Sequence, residues 1–143
     1  MVKGRILRQR YQGEIMDFDI VKRQVVIEYL KLFGNPKEGD TWSLWECIEI
    51  FRYYYERYYK VFGVEHPHLT NKSISTIISN LPYFSTDTPH NADDEAPLYD
   101  FTPDEYPIMI DAYFSQDFKN CNYSISHFMS GDIRMLRVYE CIY

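Results

Sequence analysis

The chain has 143 residues, of which 45% are hydrophobic and 17% aromatic, and carries a formal net charge of −6. That length suits one domain burying roughly 68% of its unfolded surface, with enough large rings to build a core without metal or disulfide staples. Overall disorder is excluded, and no apolar run approaches the ~20 residues of a membrane-spanning helix.

Met1 to Arg10 is basic but lacks the apolar centre of a signal peptide, so the expected location is the cytoplasm, or the host cytoplasm if the chain is phage-encoded. The three cysteines, Cys47, Cys121 and Cys141, share no CxxC spacing and read as reduced thiols. Usage rich in Ile and Tyr and poor in Ala fits an AT-rich genome, such as that of a low-GC bacterium or its phages.

Residues 1–16 read as a basic arm, with Lys3, Arg5, Arg8 and Arg10 beside the helix-weakening Gly4 and Gly13. A single helical domain is expected over 17–143. In a first helix over 17–33, Phe18, Val21, Val25, Tyr29 and Leu32 recur at spacings of three and four, while Lys22, Arg23, Glu28 and Lys31 lie elsewhere; Gly34 caps it and Pro36 prevents continuation.

Ser43-Leu44-Trp45-Glu46 is a capping box that opens the second helix. Leu44, Ile48, Phe51, Tyr55, Tyr58 and Phe62 form its apolar stripe, Glu56 and Lys60 an i,i+4 pair, and Gly63 its end. Pro67 breaks the chain, and a third helix over 71–81 buries Ile74, Ile77, Ile78 and Leu81 before Pro82.

Residues 83–102 read as a long acidic loop, since Pro89, Pro97 and a polar run interrupt any pattern. Thr102-Pro103-Asp104-Glu105 carries the chemistry of a helix start, and Met109, Ile110, Tyr113 and Phe114 follow it. After a turn at Asn120-Cys121-Asn122, the residues Ile125, Phe128, Met129, Leu136 and Tyr139 have helical spacing, with a kink at Gly131. The expected fold is all-α, a single-domain bundle of five or six helices.

Reactive motifs are sparse. Phe51 to Lys60 interleaves aromatics with cations, as a single-strand-binding surface would, but Tyr55 and Tyr58 fall on the core stripe and only Tyr53, Tyr54 and Arg57 stay outside. His66-Pro67-His68 could offer metal ligands, yet nothing adjacent completes a set of four; His90, Asp93, Cys121 and His127 could join only by folding together. No EF-hand spacing, GxSxG elbow or phosphate-binding glycine loop is present, and Cys47 and Cys141 read as buried hydrophobes. No catalytic residue, metal or cofactor is therefore assigned.

The strongest functional signal is charge. Between Ser73 and Phe118 stand nine acidic residues and no Lys or Arg, leaving the remainder of the chain at +3. A one-signed field attracts partners of opposite sign. The expectation is a non-catalytic protein-binding module presenting an acidic surface to a basic partner, such as a nucleic-acid-processing enzyme whose groove it would occupy as a nucleic acid mimic. Such a chain would be an inhibitor or regulator, plausibly phage-encoded. The expected contacts are Asp87, Asp93, Asp94, Glu95, Asp100, Asp104 and Glu105, with Tyr99 and Phe101 as aromatic anchors. The alternative is a helix-turn-helix-like DNA-binding protein. It would use Lys72 and the hydroxyl and amide groups of Ser73, Ser75, Thr76, Ser79 and Asn80 on the third helix, aided by the basic arm, Arg134 and Arg137. Net acidity weighs against it. Oligomeric state does not follow from the sequence.

Overall fold

A computed structural model of the chain describes residues 2–35, 42–85, 98–130 and 132–142. The first helix, α1 (Val2–Phe33), takes in the stretch expected to be an arm, because Gly4 and Gly13 do not interrupt its backbone. It ends where expected: Gly34 has φ +74° and its N–H bonds the Leu30 carbonyl at 2.9 Å. Phe18, Val25 and Tyr29 are buried, but Leu32 is exposed and Glu28, expected outside, is buried with Lys31 at 3.6 Å from its carboxylate.

Helix α2 (Leu44–Phe62) starts at Ser43, whose hydroxyl accepts the Glu46 N–H, and stops at Gly63 in the left-handed region. Such a serine cap stabilises a helix by about 1 kcal/mol. Helix α3 (Asn71–Asn80) is capped by Thr70, and Ile74, Ile77, Ile78 and Leu81 are buried as its spacing predicts. α1 packs on α2 and α3.

The segment read as a loop closes on itself at its base. Strands β1 (Tyr83–Ser85) and β2 (Leu98–Asp100) pair antiparallel with Tyr83 opposite Asp100, and the Phe101 N–H bonds the Pro82 carbonyl at 2.8 Å. A 3₁₀ turn (Pro103–Glu105) leads into α4 (Tyr106–Phe114), which packs on α2. Then come α5 (Ile125–Phe128), a π-helical segment (Asp132–Tyr139) and α6 (Glu140–Ile142). The bundle is all-α and single-domain, with the short β-ladder as its one addition among the described residues.

Two corrections concern which side chains face inward. Tyr54 is fully buried, against Tyr113, Phe114 and Phe128, and its hydroxyl donates to the Tyr123 carbonyl at 2.8 Å; Tyr55 is only half-buried and Phe62 is exposed. α2 meets α1 on one side and α4 on the other, so its buried arc is wider than one stripe. In the last segment, Arg134, Met135 and Val138 are buried while Leu136 is exposed. A π-helix bonds i to i+5, so a 3.6-residue period assigns the wrong face there.

Candidate functional site

Polar residues on α2 and the 3₁₀ turn face each other across a cleft of about 490 Å³. Glu46, Glu49, Ile50, Arg52, Tyr53 and Glu56 form one wall, and Pro103, Asp104 and Pro107 the other. α2 presents Glu46, Glu49 and Glu56 because spacings of three and seven place them on one helical face. The opposite wall is fixed by local chemistry. The Thr102 hydroxyl donates to Asp104 at 2.5 Å, and the Glu105 carboxylate lies 3.4 Å from the Thr102 N–H, so this turn is held by its own side chains.

Four carboxylates thus meet one guanidinium. Arg52 is paired with Glu49 at 3.3 Å; among the described residues, Glu46, Glu56 and Asp104 have no basic side chain at ion-pair distance. The expected Glu56–Lys60 pair does not form. Ile50, Pro103 and Pro107 give the cleft an apolar floor between its charges.

At the same α2–α4 contact, Asp111 accepts the Tyr53 hydroxyl at 2.8 Å and lies 2.9 Å from Arg57 Nε. Burial and this carboxylate both push the Tyr53 phenol above its ordinary pKa. Asp111 therefore joins two helices and has its charge matched within the chain, though it belongs to the acidic stretch.

The sequence-derived contacts divide accordingly. Asp104 is exposed at the cleft, whereas Glu105 helps cap the turn. Asp87, Asp93, Asp94 and Glu95 lie outside the described residues, and for Tyr99 and Asp100 only the strand backbone is described. Phe101 is a correction: at 2% exposure its ring packs on Tyr106 and Tyr139, and its carbonyl accepts the Trp42 indole N–H at 2.8 Å, so it belongs to the core and not to a docking surface. Sequence reasoning missed Glu46, Glu49 and Glu56 as site residues. Their common face on α2 was the available signal.

Several of the groups weighed for nucleic acid and metal are engaged internally. Arg134 is 1% exposed, and its Nη1 donates to the Asn80 carbonyl at 2.8 Å and the Tyr106 hydroxyl at 3.0 Å, which corrects its place on a basic face. Ser79 and Asn80 direct their donors to carbonyls of α3 itself. Lys72 is exposed, while the side chains of the basic arm lie outside the described residues.

His66 is buried with both ring nitrogens occupied. Nε2 accepts the Ile125 N–H at 2.9 Å and Nδ1 donates to the Pro67 carbonyl at 2.7 Å, an arrangement that requires the neutral ring. Burial pushes its pKa down to about 4. His90 lies outside the described residues, and His127 and Cys121 meet around Tyr113 rather than around His66. No described helix is long and apolar enough to cross a membrane. The chain matches no protein-family model, no curated protein and no solved structure.

Proposed function

We propose that this chain is a non-catalytic binding module whose cleft between α2 and the Pro103–Pro107 turn takes an arginine-bearing segment of a basic protein. The carrying observation is the meeting of Glu46, Glu56 and Asp104 with Ile50, Tyr53 and two prolines in one cleft. Carboxylates supply the acceptors that a planar guanidinium engages two at a time, and the apolar floor suits the aliphatic stem of arginine. Acidic residues of the 83–102 connection add to the chain's negative charge, which would raise the rate of encounter with a basic partner. A module acting in this way would regulate its partner by covering a cationic surface.

The test is binding of an arginine-rich peptide at increasing ionic strength, with wild type beside the E46Q/E56Q/D104N variant. Affinity should fall steeply with salt, and the variant should bind on the order of tenfold more weakly at low salt, since charge pairs at a rim are screened. Salt-independent binding, or an unimpaired variant, would remove the reading.

A further inference from the structure

The turn between α4 and α5 gathers a cysteine, a tyrosine and a histidine that take no part in the cleft. We propose that Cys121 is a nucleophilic thiol and a site of covalent modification by small electrophiles, with Tyr113 and His127 carrying away its proton. Cys121 is half-buried and its Sγ accepts the Tyr123 N–H at 3.2 Å. The Tyr113 hydroxyl lies 3.8 Å from that sulfur and 2.7 Å from His127 Nδ1, so it connects the thiol to an imidazole.

The surrounding backbone is held in an uncommon shape. Asn120 and Tyr123 have φ of 54° and 56°, and a tyrosine in that region persists only where its surroundings fix it. They do: the Tyr123 hydroxyl donates to the Gln116 carbonyl at 2.9 Å and accepts the Phe118 N–H at 2.6 Å, while its carbonyl receives Tyr54. This network fixes the N–H that points at the sulfur. Cys47 provides the contrast, being 2% exposed and pushed up to about 12 by burial and by Glu46, which keeps it a protonated, inert thiol.

The proton path follows from the hydrogen bonds. With the His127 proton on Nε2, Tyr113 donates to Nδ1 and its oxygen is free to accept from the thiol. Transfer of the thiol proton to that oxygen, with the phenolic proton passing to Nδ1, leaves a thiolate and an imidazolium. Burial and the nearby Arg137 charge hold the His127 pKa below its ordinary value, so the resting ring is neutral with its lone pair available, and the imidazolium forms only as the thiolate is consumed. The thiolate then attacks carbon of an alkyl halide: an S–C bond forms, the carbon–halogen bond breaks, and halide leaves. The rings of Tyr113, Phe118 and Tyr123 stand 5.1–5.7 Å apart around the turn, which favours small reagents.

The experiment treats the full-length protein with iodoacetamide at pH 7 and quantifies, over time, the peptide bearing each cysteine by mass spectrometry. Native Cys121 should alkylate on the order of tenfold faster than the same residue in the urea-unfolded chain, with Cys47 unmodified in the native state. Tyr113→Phe and His127→Leu should each slow Cys121 by roughly fivefold or more, with thermal melts confirming a folded protein. If Tyr113→Phe does not fold, the half-exposed His127 carries the comparison alone. A native rate at or below the unfolded rate, or one unchanged in His127→Leu, overturns the assignment.

Discussion

His66 makes stability depend on pH in a direction and by an amount that can be worked from its surroundings. The ring stacks on Tyr55 at 4.4 Å and stands edge-on to Tyr58 at 5.0 Å, while Nε2 joins the segment before α3 to the first residue of α5. In the unfolded chain the imidazole titrates near ~6.5, and in the folded chain at about 4. Above the unfolded value both states are neutral and the contribution is complete. As the pH falls from there, the unfolded chain binds a proton that the folded chain refuses, and stability is lost until the folded ring itself protonates. The loss across that window is about 3 kcal/mol, at ~1.4 kcal/mol per unit of pKa difference. His66→Phe keeps the rings in contact, removes the titration, and leaves the Ile125 N–H without its acceptor, at a cost of about 1–3 kcal/mol. Urea denaturation followed by circular dichroism at several pH values from 7.5 to 4 measures both terms. The gap between wild type and variant should be largest at pH 7.5, then shrink by about 3 kcal/mol and change sign or vanish near the acid end, because carboxylate titrations are common to both proteins. A gap that stays constant across the range would refute the reasoning.

Three further outcomes distinguish core from surface. Phe101→Ala should destabilise the fold by about 3–5 kcal/mol, read as a lower denaturation midpoint, because this ring fills space between Tyr106 and Tyr139. Arg134→Met should cost about 3 kcal/mol or more by leaving the Asn80 carbonyl and the Tyr106 hydroxyl without their donor, whereas Lys72→Ala should stay within about 0.5 kcal/mol by the same assay. Asp111→Ala should cost less than about 1 kcal/mol in chemical denaturation, since the pair with Arg57 is half exposed and screened by solvent.

Much of the helical frame could be read from local chemistry. Ser43 with Glu46, Gly63, Pro82 and the isoleucines of α3 act within a few residues of themselves, so their consequences need no tertiary information. What the sequence hid depends on neighbours distant in the chain. Ile50 and Tyr54 join Cys47, read as buried from its type, in a second inward stripe on α2 only because α4 and α5 lie against it. Leu136 and Met135 exchange places because π-helical bonding changes the period, and no residue pattern announces that. The acidic stretch was visible as a sum of charges, but Asp111 finds Arg57 and Glu105 finds Thr102 only after folding. The cleft joins Asp104 to glutamates some fifty residues earlier, a pairing that charge counting along the chain could not make. Cys121 lies beside His127 through Tyr113, and six residues of separation carried no motif.

The acidic cleft is tested most directly by a residue-resolved NMR titration of the isotopically labelled full chain with an arginine-rich peptide at low salt. The account predicts that amide shifts concentrate at Glu46 to Glu56 and Pro103 to Pro107 (through their neighbours' amides) and disappear in E46Q/E56Q/D104N. Shifts confined to other surfaces, or an undiminished response in that variant, would contradict it.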